Sequence, residues 1–572
     1  MTASLFDPGR IGPAELPNRI VMPSMTTRGA DEAGFVTPET TAYYLARARG
    51  GVGLITVEMA APEPVGRHRR RELGLYDDRF LPGLTELVAR LHGAGSKVSI
   101  QIGHGGGHTR LDVCGEVPIA PSAVPHVVQE GTTETIVPEA MSLARIEETT
   151  AAYVRAAERA RAAGFDCVEI HAAHGYLISQ FYAPGENRRD DAYGGSLENR
   201  ARFGLDILRR VKRAVPELGV IYRTNLEDFF PEGMPFGDAL RVAVWAAEAG
   251  ADAIHVTAGH YRSLPSAAIM IPPMSEPEGR FLDYARAVKQ RVAVPVIAVG
   301  RLGDPALARR VLAEGIADFV ALGRPLVADP QWARKVEAGE PVRRCLSCNT
   351  CVDEMRAGNR LHCVVNGMSG RERDFDEMRP PLGERIAVVG AGPAGLTYAS
   401  LVADGNTVTV FERDAAPGGA FRLAGHAPLF QGVAARPEPF AAYIADLVAA
   451  SARKGVEIRC RTTPTPEMLA PFDRVVIATG AAYRFGLGPL VEAALPVGVG
   501  RWPGIARLLA RPGLRDWFYH RARRATGARL RRLARRGQRV QVIGDARQAG
   551  KSQAAILQAF EAALQGKHEV TS

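Results

Sequence analysis

A chain of 572 residues is too long for a single hydrophobic core and predicts two or three domains. Its 46% apolar and 23% charged content is ordinary for a soluble globular protein, and no uncharged apolar run reaches the length of a membrane-spanning helix. The net charge of +9 is local: thirteen arginines and one acid within residues 501–539 carry +12, which leaves −3 for the rest of the chain and says nothing basic about it.

Met1 and the residues after it carry neither a basic stretch nor an apolar stretch of the secretory kind, so a cytoplasmic setting is expected. Seven cysteines, an odd number with four close together, argue for thiols or metal ligands rather than a disulfide framework.

From the start to about residue 340, short β-branched runs alternate with longer helical patterns. Candidate strands fall at 19–22, 53–57, 97–102, 167–171, 219–223, 253–257, 295–300 and 319–323. Helical stretches between them end in Ala-Gly pairs such as Ala94-Gly95, Ala163-Gly164 and Ala249-Gly250, which suit C-terminal stops. Eight such units predict an α/β chain beginning with a parallel (β/α)8 TIM barrel over residues 1–340, with its chemistry at the C-terminal ends of the strands.

Residues 341–384 contain Cys345, Cys348, Cys351 and Cys363, spaced Cys-x2-Cys-x2-Cys-x11-Cys. Three closely spaced thiolates plus a distant one suit a 4Fe-4S cluster; a structural zinc is the alternative. A second α/β domain opens at Arg385, where a β-run leads into Gly390, Gly392 and Gly395 and then a helix, with Glu412 seventeen residues on. That pattern predicts a Rossmann-like fold with a pyrophosphate at the helix N-terminus and Glu412 on the ribose. It spans 385–485 and 537–572, interrupted by the arginine-rich segment 486–536. There Trp517, Phe518 and Tyr519 mix with arginine, and the expected partner is an acidic redox protein or an anionic membrane surface rather than nucleic acid.

Two long runs, 164–181 and 187–203, resemble the old yellow enzyme family. Other landmarks recur in order: Pro23, Ser24 and Met25 after the first strand, Gln101 ending the third and Arg223 ending the fifth. Gly300 and Arg301 follow the seventh, and Gly323 and Arg324 the eighth. The resemblance implies FMN in the barrel, its phosphate at Gly300, Arg301, Gly323 and Arg324, its pyrimidine edge at Gln101, and Arg223 countering charge on the reduced ring. It also implies that His171 and His174 bind a substrate carbonyl oxygen while Tyr176 donates a proton, with His260 a further catalytic candidate. A zinc pair at His171 and His174 is the bland alternative, and no nearby ligand completes it.

The branch resembled is that of 2,4-dienoyl-CoA reductase and trimethylamine dehydrogenase, in which a 4Fe-4S cluster follows the last phosphate loop. Here Cys345 comes 21 residues after Arg324. Gly419 and Asp545 match flavin contacts of the C-terminal domain, implying FAD, or ADP instead. In the reductases an NAD(P)H domain is inserted ahead of the Asp545 motif, but here residues 480–540 offer too few residues for one. A non-nicotinamide electron source is therefore expected, and a mycofactocin-associated subgroup of these proteins would fit. The activity implied is reduction of an activated C=C bond, with electrons passing from FAD through 4Fe-4S to FMN. Amine dehydrogenation with a protein or membrane acceptor is the rival.

Overall fold

The structure, a computed structural model, describes residues 4–127, 135–535 and 537–564. Arg536 and the side chains of Phe518 and Tyr519 lie outside the described residues, as do Met1 and the two residues after it. Two compact units result: Met1–Pro272 with Glu276–Leu326 and Val352–Leu361, and Pro273–Ser275 with Val327–Cys351 and His362–Ser572. Among the described residues, no helix is long and apolar enough to cross a membrane.

The first unit is a closed barrel of eight parallel strands: β1 Ile20–Met22, β2 Leu54–Ala61, β3 Lys97–Ile102, β4 Cys167–Ala172, β5 Gly219–Asn225, β6 Ala253–Thr257, β7 Val296–Ala298 and β8 Phe319–Ala321. Each pairs with its chain neighbour, and β8 pairs with β1, which closes the ring. The strands are buried on both faces because helices wrap the outside and side chains fill the inside, which is why they read as continuous apolar runs. A hairpin of Gly9–Ile11 and Ala14–Leu16 plugs the N-terminal mouth, packing Ile11 and Leu16 against Leu54, Cys167, Ala253 and Phe319. That leaves the opposite mouth for chemistry.

The outer helices start where the sequence caps them. Ser196 Oγ accepts from the Asn199 N–H at the head of Leu197–Ala214, and that helix turns Phe203, Ile207, Leu208 and Val211 onto the barrel. Asp304 caps Pro305–Ala313 in the same way.

The second unit carries a parallel five-stranded sheet: β9 Arg385–Val389, β10 Thr407–Phe411, β11 Glu457–Arg459, β12 Arg474–Ile477 and β13 Arg539–Val542, in the order β11-β10-β9-β12-β13. Helix α1, Pro393–Val402, leaves β9 through the glycine turn and packs with α2, Ser552–Ala563, through Leu396, Ala399, Ile556 and Phe560. The arginine-rich segment forms the helices Leu487–Ala494, Pro503–Leu509 and Pro512–His520, then a strand, Arg523–Ala525, antiparallel to Ala481–Tyr483. Trp502 is 59% and Leu508 49% exposed.

Candidate active site

Strand register builds the floor of the barrel mouth. Pairing across β3, β4, β5 and β6 sets Gln101 beside Glu169, His171 beside Arg223, and Arg223 beside His255. Because strand side chains alternate, these five residues share the barrel interior. Ser24 Oγ donates to Gln101 Oε1 at 2.9 Å, and Gln101 Nε2 donates to Glu169 Oε1 at 2.7 Å. Glu169 Oε2 lies 2.6 Å from His255 Nδ1, and Glu169 Oε1 lies 3.8 Å from Arg223 Nη1. Burial alone would raise the Glu169 carboxyl, but His255, Arg223 and Gln101 outweigh it and hold it below the usual carboxylate range. A buried anion thus supports the Arg223 cation, whose Nε has no hydrogen-bond partner among the described residues. A buried, unmatched guanidinium donor fits the carbonyl edge of an isoalloxazine.

The ends of β7 and β8 form a basic cradle. Gly300 has φ +114°, and a Cβ there would lie 2.8 Å from the Phe281 ring. Arg301 Nη1 donates to Glu276 O, and Arg324 Nη2 donates to Pro272 O at 2.7 Å. A side chain at Gly323 would meet Met25 Sδ at 2.9 Å, so the loop holding Pro23, Ser24 and Met25 closes on this turn. Two guanidinium groups on glycine-bearing strand ends fit a phosphate.

Tyr176 follows β4 and is buried. Its ring packs edge-on against His171 at 4.8 Å, His68 at 4.9 Å and Tyr261 at 5.6 Å between centroids. Tyr176 Oη lies 3.1 Å from His68 Nε2, and His68 Nδ1 lies 2.9 Å from Glu72 Oε2. Burial, then Tyr261 beside it, push the Tyr176 hydroxyl well above its usual value, so it holds its proton at neutral pH. Tyr261 goes the other way: burial would raise it, but Arg69 and Arg356, both over its ring, lower it.

His171 and His174 stand edge to face at 5.1 Å. Desolvation, then Arg223, hold both imidazoles well below their usual value, hence neutral. His171 Nδ1 has no hydrogen-bond partner among the described residues, while His174 Nε2 shares a 3.0 Å hydrogen bond with Thr257 Oγ1. His174 also adopts φ +66°, a left-handed backbone turn two residues past the end of β4. His260 is placed differently from these two. It is fully buried, with Nε2 2.9 Å from Glu186 Oε2, and a Cβ at Gly175 would lie 2.3 Å from its ring. Sequence reasoning did not find His68, Glu72, Glu169, His255 or Tyr261. Glu169, two residues before His171 on one strand, carried a signal: an acid on the inward face of a buried strand.

In the second unit, Gly390 has φ +110° and a Cβ there would meet Ala478 O at 2.5 Å. A Cβ on Gly395 would lie 2.0 Å from Gly390 O, so helix and strand approach as only glycine permits. Gly392 faces Gly419 across an open turn. Glu412 Oε2 accepts from the Ala391 N–H at 2.8 Å, which places the carboxylate beside the glycine turn. Asp545 is held by Arg523 Nη1 at 2.7 Å, a residue of the arginine-rich segment. This cradle fits a dinucleotide.

Cys345, Cys348, Cys351 and Cys363 all belong to this second unit. Left-handed turns at Ser347 and Asn349 fold the chain back between the first three, and the Ser347 N–H points at Cys345 Sγ at 3.3 Å. Burial, then Cys345 and Cys348, push the Cys363 thiol up to about 12. Four sulfurs supplied by one segment, with a backbone donor to one of them, fit an iron–sulfur cluster.

A (β/α)8 barrel with this mouth, joined to a Rossmann-like unit, defines a flavin-dependent oxidoreductase of the old yellow enzyme type. The chain belongs to the NADH:flavin oxidoreductase / NADH oxidase family, whose model matches residues 4–342; an NAD(P)-binding Rossmann-like domain matches 388–429. It is 40% identical over 489 residues to an NADH oxidase of Thermoanaerobacter brockii, covering 84% of this chain and 73% of that one. It is 31% identical over 513 residues to a cinnamate reductase of Clostridium sporogenes, covering 84% and 74%. A solved 2-naphthoyl-CoA reductase in complex with 2-naphthoyl-CoA shares the fold, with TM-score 0.86, 23% identity and coverage of 97% and 98%.

Proposed function

We propose that this oxidoreductase reduces a C=C bond conjugated to a carbonyl group, an enone or an enoyl thioester. The carrying observation is Tyr176, a protonated, buried hydroxyl backed by the His68–Glu72 pair and packed on His171. The cinnamate reductase similarity supports this substrate chemistry. The barrel residues would hold FMN: Arg301 and Arg324 its phosphate, Gln101 and Arg223 its ring, with Ser24 and Met25 alongside. Bound there, FMN would supply hydride chemistry at the alkene β-carbon. Neutral His171 and His174 donate hydrogen bonds to the substrate carbonyl oxygen and stabilise its developing negative charge. Tyr176 delivers a proton to the α-carbon, and His68 stands ready to return one to its oxygen.

Cys345, Cys348, Cys351 and Cys363 would hold a 4Fe-4S cluster, and Gly390, Gly392, Gly395, Glu412 and Gly419 the FAD or ADP. Arginines across 501–539, with Trp502 and Leu508 exposed among them, support docking of an acidic redox partner as the electron source. The test is anaerobic: the photoreduced holoenzyme is mixed with an enone and flavin reoxidation is followed. Rapid reoxidation in the wild type and a roughly 100-fold or greater slowing in Tyr176→Phe are expected. Undiminished alkene reduction by Tyr176→Phe would remove the tyrosine from this role. Fast reduction of the resting enzyme by NADH or NADPH would replace the protein donor with a nicotinamide.

A further inference from the structure

Beyond Tyr176 and Tyr261 lies a second set of buried polar side chains to which the proposed reaction gives no task. His108 ends a short turn after β3, His126 lies on the two-residue strand His126–Val127, and Glu186 follows the helix Leu177–Tyr182. One ligand atom from each falls within 4.8 Å of the other two, and all three residues are at least nine-tenths buried. Neither ring nitrogen of His108 or His126, and neither oxygen of Glu186, makes an aligned hydrogen bond among the described residues. Both His108 ring nitrogens and His126 Nε2 also lack an ion-pair neighbour among the described residues, and buried polar atoms left so are costly for a folded chain unless something binds there.

The packing makes room for these rings. A Cβ on Gly107 would lie 2.6 Å from His126 Nε2, so only glycine lets that imidazole approach. Glu186 divides its oxygens: Oε1 lies 3.5 Å from His126 Nδ1, and Oε2 lies 2.9 Å from His260 Nε2. Arg262 Nη1 is 3.8 Å from Oε1.

We propose that His108, His126 and Glu186 bind one divalent cation, zinc being the best match, with His260 positioning Glu186 through its second oxygen. Two imidazoles and a carboxylate are the hard-to-borderline donors zinc takes; tetrahedral zinc sets its donors about 3.3 Å apart, so the three groups, within 4.8 Å of one another, would draw together on binding. A histidine on the far oxygen of a ligating carboxylate is a usual supporting contact. The cation would staple three chain segments, one of which carries the His108 ring 6.2 Å from that of Tyr261.

The test uses the iron–sulfur-replete, flavin-loaded full chain. Metal analysis is expected to find one zinc per chain, bound after incubation with Zn2+ if not on isolation. Zinc X-ray absorption should show nitrogen and oxygen neighbours at about 2.0–2.1 Å and no sulfur shell near 2.3 Å. His126→Ala should lose the zinc while keeping its iron, sulfide and flavin. Because that variant could fold poorly, wild-type melting is also measured with chelator and after Zn2+ addition, with a rise on addition expected. Retention of zinc by His126→Ala, a sulfur shell at the zinc, or a wild type that takes up no zinc and melts unchanged would each overturn the proposal.

Discussion

Tyr176 Oη rests 3.1 Å from His68 Nε2, although 108 residues separate the two in the chain. Glu72 completes the line on the far side of the imidazole and also accepts the His68 and Arg69 backbone N–H groups at 2.9 and 3.1 Å. Burial would raise Glu72, but His68 and Arg69 outweigh it and keep the carboxyl below its ordinary value. A permanent anion therefore orients the ring that faces the tyrosine.

Glu72→Gln should leave the first proton delivery from Tyr176 intact and slow its recharging. Steady-state alkene reduction is expected to fall about 10- to 100-fold, while a single turnover of pre-reduced enzyme keeps its wild-type rate. Equal losses in both would place Glu72 in substrate binding instead.

Glu58 sets a pH dependence of stability. It is fully buried and takes two hydrogen bonds from Thr27, from the N–H at 2.7 Å and from the hydroxyl at 2.6 Å, yet burial wins and raises its carboxyl to about 7. Raised above the unfolded value of 4.5, it contributes stability that is complete below pH 4.5 and lost as pH climbs to about 7. Glu58→Gln, always neutral, should gain on the wild type across that window by about 3 kcal/mol and hold a constant lead above it. Melting of both proteins from pH 4 to 8 reads this directly; a lead that does not change with pH would show that the Glu58 carboxyl is not raised on folding.

Gly395→Ala puts a methyl group 2.0 Å from Gly390 O. The turn must open, and the adenine dinucleotide should be lost while the barrel keeps its own flavin. Extracted flavin, separated by chromatography, is expected to show FMN at wild-type level and FAD near zero; unchanged FAD would move its site elsewhere.

Cys351→Ala should drop iron and acid-labile sulfide to background with FMN retained. Iron kept at wild-type level would remove Cys351 from the cluster.

The barrel was legible because its strands carry their own periodicity and each lies within a residue or two of its expected place, apart from β2, which runs on to Ala61. His171, His174 and Tyr176 were legible because they stand in one ungapped run after a buried strand. His68 and Glu72 were not, since they come from an irregular stretch whose side chains show no pattern and whose meaning exists only once β4 brings Tyr176 to them. His260 had the right loop, but burial against Glu186 gives its ring a partner no local pattern shows. Asp545 was singled out by its motif, while its Arg523 partner comes from a segment that composition marked only as a docking surface.

The side-by-side pairing of Gln101 with Glu169, and of Arg223 with both His171 and His255, carries a consequence for how such a barrel can change. Removing one residue from β4 or β5 would turn every polar group of that strand outward to the helix layer at a stroke. Innovation in this mouth is thus confined to point exchange on the strands and to lengthening or shortening of the loops above them. The redox floor is heritable as a block, and new substrates are recruited from its rim.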